Sequence, residues 1–280
     1  MTVGQLSYNR PVLVDSHVHI WSADVERYPP RPIHGASVPT VDGSAEMLSG
    51  TLAQHGVDAA IVVQPRAYGD DHRYLLDSLA RYPDRMVAVA ALDPRDDRAP
   101  AILAALVSEG IKGLRLDPHG WGTGPLIDGT VRPLWDVALH CGVAIEVMIR
   151  PAQLPALGRL AARTVDAQVV VEHAARFGAD PDEPLDGLLE LEAWPNVTVK
   201  VSALSSISTE PPPHRDIWTM LERLVAVFGP ERLMWGSDMP WIGADEYGAE
   251  LDTVASLPFL DNGGRTWLLG QTAARVFGLT

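Results

Sequence analysis

The run Val12-Leu13-Val14-Asp15-Ser16-His17-Val18-His19-Ile20 is a β-branched apolar stretch that meets a carboxylate and two imidazoles at its C-terminal end. Strand side chains alternate, so with Val18 turned outward His17 and His19 point the same way. Seven further strand candidates follow it: Ala59 to Gln64, Met86 to Leu92, Ile111 to Leu116, Val143 to Ile149, Gln168 to His173, Val197 to Ser202 and Leu233 to Asp238. Between them lie stretches of helical period, namely Asp71 to Arg81, Ala99 to Glu109, Val131 to His140, Leu154 to Ala162, Leu185 to Ala193 and Ile217 to Phe228. All but Leu154 to Ala162 close on a Gly or Pro within two residues. This alternation predicts an α/β fold, a single (β/α)8 TIM-type barrel over residues 1–280, in preference to an open doubly wound sheet. The sequence has no Gly-x-Gly-x-x-Gly turn to cradle a dinucleotide.

Lys plus Arg total 22 against 36 Asp plus Glu, a net charge of −14, which argues against a nucleic-acid partner. With 46% hydrophobic and 21% charged residues the chain has material for a large core and too little charge for disorder. Cys141 is the sole cysteine and cannot form an intrachain disulfide, so a reducing compartment is expected. The N-terminal MTVGQLSYNRPVL lacks a basic segment followed by an apolar one, and no run of about 18 apolar residues offers a membrane span. The reading is cytoplasmic, without a membrane partner, and leaves homo-oligomerisation open.

Chemistry on a barrel gathers where strands end. His173 emerges from Val169-Val170-Val171-Glu172, and Asp238 follows Trp235-Gly236-Ser237. Singly, each reads as readily as a cap or a buried hydrogen-bonding residue. With His17 and His19 they offer three imidazoles and a carboxylate at one mouth. Zn²⁺ accepts such ligands and can keep a position open for water, so one divalent ion, Zn²⁺ first, is expected on His17, His19, His173 and Asp238. A site working without a tightly held metal is the other arrangement. No Gly-x-Ser-x-Gly elbow supplies a serine nucleophile, which favours direct attack by water.

Asp15-Ser16-His17-Val18-His19 with Gly236-Ser237-Asp238-Met239-Pro240 resembles the amidohydrolase superfamily, and more narrowly its amidohydrolase-2 branch of lactone hydrolases, which includes sugar-acid lactonases and 2-pyrone-4,6-dicarboxylate lactonase. The run ending at His173, Lys200-Val201-Ser202, and the closing Ala274-Arg275-Val276-Phe277-Gly278-Leu279 extend the resemblance over nearly the whole chain. It implies that His17, His19, His173 and Asp238 are the catalytic centre of a lactonase. Asp238 would be the general base, and the three histidines would stabilise the oxyanion directly or through the ion. The strand run Val143 to Ile149 offers no His, so a second metal is not expected.

Around the mouth, Arg115 and Arg176 are candidate grips for an anionic substituent, with an ion pair of Arg115 with Asp117 or of Arg176 with Glu172 as the structural alternative. Gln64 is a candidate hydroxyl or carbonyl partner, and Trp21, Trp121 and Trp241 are candidate walls for a ring, Trp21 and Trp241 foremost. Where dicarboxylate-pyrone members carry further arginines and a tyrosine, this chain has Trp121, Ser206 and Met148. The expected substrate is therefore a lactone with at most one anionic group, sugar-acid lactones first and a mono-anionic muconolactone-like compound second. Two rivals stand beside it: a Zn²⁺-dependent decarboxylase of the same superfamily, and a barrel kept as a non-catalytic binding protein. Long connections at Trp21 to Asp42 and Ala203 to His214 are expected to act as lids or walls.

Overall fold

The computed structural model describes residues 10–33, 36–37, 39–122, 129–177 and 185–279. The N-terminal residues 1–9 and parts of the Trp21 to Asp42 connection lie outside these. Eight parallel strands pair in sequence order: β1 (Val14–Val18), β2 (Ala59–Val63), β3 (Met86–Ala91), β4 (Gly113–Leu116), β5 (Ala144–Val147), β6 (Val169–Val171), β7 (Val197–Ser202) and β8 (Leu233–Gly236). Helices between them cover the outer face, as expected of a βα repeat whose strands are buried on both faces. No helix among the described residues is long and apolar enough to cross a membrane.

Just beyond β8 the chain returns to β1. The Asp238 N–H donates to the His17 carbonyl at 2.9 Å, the His19 N–H donates to the Met239 carbonyl at 2.7 Å, and Val18 bridges Met239. Gly236 permits this approach, because a Cβ there would stand 2.7 Å from both N and Cβ of His17. The seam that nearly closes the barrel is thus also the place where two site elements are locked together.

Strand alternation sorts the residues. Val197, Val199 and Val201 of β7 join the apolar layer beneath the helices, so Thr198, Lys200 and Ser202 face the other way. Inside the barrel, Val14, Ile61, Val63, Val89, Ala144, Val170 and Met234 form a core with Ala273, Val276 and Phe277 of the C-terminal helix Thr272–Phe277, which plugs one end. Above that apolar layer the inward positions become charged.

Strand ends differ from the sequence reading in informative ways. β6 stops at Val171, short of His173, because Glu172–Arg176 form a turn in which His173, Ala174, Ala175 and Arg176 have φ of 51°, 47°, 55° and 65°. Left-handed backbone at a residue other than glycine costs about 1–2 kcal/mol each, so this turn stores strain that its side-chain bonds must hold. The stretch Leu185 to Ala193 is a single helical turn, Asp186–Leu189, running into the 3-10 turn Glu190–Ala193. Helices Ala45–Gln54 and Tyr247–Ala255 were not expected; the first carries Ser and Gly in its middle and is held by the Ser44 hydroxyl accepting from the Met47 N–H at 3.2 Å. The Ala203 to His214 connection contains a helical turn, Leu204–Ile207. Among the described residues of Trp21 to Asp42 neither helix nor strand forms.

Candidate active site

β1 delivers His17, and His19 follows one residue past its end. Pure alternation is not what aims them. The β1–β2 register slips between Asp15 and Val18, an irregularity of the kind that re-aims side chains beside active sites. Asp15 anchors the slip: its Oδ1 accepts from the backbone N–H groups of His17 at 3.1 Å and Ser237 at 2.9 Å, and its Oδ2 accepts from the Tyr247 hydroxyl at 3.0 Å. Burial raises this carboxyl to about 6.

The four residues implied by the resemblance meet. Nε2 of His17 lies 3.3 Å from Nε2 of His19, and Oδ1 of Asp238 lies 3.6 Å and 3.5 Å from them. The His173 ring centroid is 4.5 Å from that of His17, and its Nδ1 lies 2.9 Å from the Ser202 hydroxyl. Asp238 has φ 66°, so its side chain, too, is presented from left-handed backbone.

Electrostatics follow from depth. Burial, reinforced by the charges of Lys200 and Arg115, pushes His17 and His173 well below the ordinary histidine range, and burial brings His19 to about 3. All three imidazoles are therefore neutral at pH 7. Burial pushes the Asp238 carboxyl up to about 7, against the pull of Arg115 and Arg176. Its Oδ1 is buried with no hydrogen-bond partner among the described residues, which is the condition of a base kept available.

These atoms suit a divalent ion. Two ligand atoms each about 2.1 Å from a tetrahedral ion stand about 3.4 Å apart, close to the separations among His17, His19 and Asp238. Neutral imidazoles and an unpartnered carboxylate oxygen complete the fit. His173 does not join that trio; it groups with His17 and Glu172 instead. Since His17 is common to both groups, they are not independent sites.

The remaining sequence candidates fall in different places. Arg115 does not stand free at the mouth: it is buried, and its Nε and Nη2 donate to Oε2 of Glu172 at 3.1 Å and 2.8 Å. Asp117, its expected partner, is held by Arg66 at 2.8 Å instead, and the Glu172 expected beside Arg176 is taken by Arg115. Arg176 is half-buried and near enough to Asp238 to pull on its carboxyl. The Gln64 amide straps the loop after β2 by donating to the carbonyls of Gly69 at 3.1 Å and Asp71 at 2.9 Å, and its Oε1 has no partner among the described residues. Trp21 is buried, donates to the Val41 carbonyl at 2.8 Å, and lies 5.1 Å from the ring of Trp241, which is 53% exposed. Trp121 is buried as well.

Sequence reasoning missed the layer beneath the histidines. Nζ of Lys200 donates to Oε1 of Glu146 at 2.6 Å and sits 3.2 Å from Nδ1 of His17. Burial raises the Glu146 carboxyl, with Lys200 pulling the other way. The signal was available: Glu146 is the lone charged residue of an apolar strand, and Lys200 alternates with valines.

A barrel whose strand ends bring neutral histidines against an available carboxylate is a hydrolase scaffold. The "Amidohydrolase" family model (Amidohydro_2) matches residues 14–279, and the chain belongs to that family. Among curated relatives, an L-fucono-1,5-lactonase of Burkholderia ambifaria is 32% identical over 280 residues, covering 95% of this chain and 92% of the relative. A 4-sulfomuconolactone hydrolase of Hydrogenophaga intermedia is 26% identical over 243 residues, covering 82% of this chain and 75% of that protein. A crystal structure of an amidohydrolase from Burkholderia multivorans with bound zinc superposes with a TM-score of 0.74 at 26% identity, covering 96% of this chain and 100% of that one.

Proposed function

We propose that the protein hydrolyses a lactone by direct attack of water, with Asp238 as general base. The observation that carries this is the buried Oδ1 of Asp238, unpartnered among the described residues, which faces Nε2 of His17 and His19 from a carboxyl raised to about 7. Asp238 takes a proton from water as its oxygen adds to the carbonyl carbon, and returns it to the ring oxygen as the acyl–oxygen bond breaks. His17, His19 and His173 surround the oxygen on which charge develops. His17, His19 and Asp238 are the residues that would hold one divalent ion, Zn²⁺ first; when bound, it supplies Lewis-acid polarisation of the carbonyl. Elemental analysis is expected to find no more than one equivalent per chain; two tightly held ions would sink this.

The names of the two curated relatives support a lactone as substrate. Sugar-acid lactones are the favoured class and a mono-anionic muconolactone-like compound the alternative. Arg176, the half-buried cation beside Asp238, is the residue we assign to an anionic substituent, and the Trp21–Trp241 pair forms the apolar wall. A pH-indicator assay over neutral sugar-acid lactones, a muconolactone and the dicarboxylated pyrone tests this. Acid release from the first or second group is the expected result. No release from any lactone would overturn the activity, and the dicarboxylated pyrone as best substrate, with neutral lactones untouched, would overturn the pocket assignment.

A further inference from the structure

The contacts around His17 fix where its proton sits. Lys200, Glu146 and His17 are fully buried, and the ring of Phe277, from the helix that plugs the barrel, lies 5.7 Å from Nζ of Lys200. An ammonium has three hydrogens and no lone pair. One hydrogen goes to Oε1 of Glu146 at 2.6 Å, and the 3.2 Å contact with Nδ1 of His17 is a hydrogen bond only if Nδ1 accepts. A neutral imidazole carries a single N–H, so that of His17 is on Nε2.

The neighbouring His19 is held the other way. Nδ1 of His19 lies 2.7 Å from the carbonyl oxygen of Val63, which can only accept, so His19 keeps its proton on Nδ1 and shows a bare lone pair at Nε2. That lone pair is 3.3 Å from Nε2 of His17.

We propose that Lys200, braced by Glu146, is a positioning residue that holds His17 in its Nε2–H form, so that His17 meets the pocket as a hydrogen-bond donor. The inference rests on the lactonase reading only for what the donor does, which is to meet the oxyanion. It also bears on metal loading. A divalent ion needs the lone pair of Nε2, so loading must displace that proton in the presence of a neighbouring ammonium. Lys200 thereby weakens His17 as a ligand while strengthening it as a donor. Histidine ligands more often give their second N–H to a carboxylate or carbonyl, the opposite arrangement, which raises ligand basicity.

The test is nitrogen-15 NMR of histidine-labelled full-length protein after chelator treatment, with the His17 signals assigned by their loss in His17→Asn. In the parent, the directly bonded proton is expected on Nε2; in Lys200→Met it moves at least partly to Nδ1. Equilibrium dialysis with Zn²⁺ alone should show tighter binding to Lys200→Met, by the about 10–100-fold that second-shell changes bring. Turnover of a lactone should fall in kcat with KM nearly unchanged. A proton on Nδ1 in the parent overturns the proposal even if the variant does not fold, as does an unchanged Nε2–H in Lys200→Met. Unchanged zinc affinity overturns its metal half. Neither the spectrum nor the dialysis involves a lactone, so failure here is distinct from failure of the lactonase reading.

Discussion

Asp238→Asn is expected to lower kcat by roughly 10²–10⁴ while KM stays nearly unchanged, because the amide keeps the size of the carboxyl and cannot take a proton from water. The parent should show its base in a pH profile. Asp238 acts only when ionised and its carboxyl sits at about 7, so kcat/KM should climb as pH rises through about 7 and level off above it. The same shift makes a stability claim. The carboxyl ordinarily titrates at 3.8, so between 3.8 and about 7 the folded state keeps a proton that the unfolded chain has lost, and stability declines as pH rises through that window. Asn does not titrate. Denaturant unfolding should therefore find Asp238→Asn gaining stability relative to the parent between pH 4 and pH 8, a trade of stability for function at a strained site. A variant that keeps more than about a tenth of the parent rate removes Asp238 from the role of base.

What the sequence made legible, and what it hid, divides along the distance over which its signals act. The alternation of β-branched runs with helical stretches is local, and it sufficed for the eight-stranded order. It was not enough to put His17 and His19 on one side, since the slipped register of β1 and the Asp15 anchor do part of that work. His173 was placed on a strand because Val169-Val170-Val171 reads as one; the left-handed turn that carries it has no glycine to announce it. The buried charges were hardest to see. Lys200 meets Glu146 across 54 positions of sequence and Arg115 meets Glu172 across 57, and such pairs exist only once the barrel brings β4 to β7 around a common interior. Arg115, Glu146 and Lys200 take the inward positions of their strands, and what a local pattern does not supply is the partner that makes a buried charge tolerable.

That partner decides the expected outcome for Arg115. At the mouth of the barrel an arginine would grip a substrate anion, and Arg115→Ala would raise KM for anionic lactones alone. Instead its guanidinium lies buried against a Glu172 carboxylate that is wholly inaccessible and whose Oε1 has no partner among the described residues, so removing Arg115 strands a charge that water cannot reach. Breaking a buried pair in this way costs about 3–5 kcal/mol, and urea unfolding of Arg115→Ala should show a loss of that size. Glu172→Gln should also destabilise, by orphaning the guanidinium. Arg115→Met combined with Glu172→Leu should recover part of the loss, because the cost lies in the unpaired charge rather than in the absence of the pair. Glu172 also opens the left-handed turn that presents His173, so these variants should lose activity toward neutral and anionic lactones alike. Arg115 further pulls the Asp238 carboxyl down, so where Arg115→Met still folds, the pH profile should move upward from about 7. Parent-like stability in Arg115→Ala, with KM raised only for anionic lactones, would instead make Arg115 a substrate grip and leave Glu172 satisfied by some other donor.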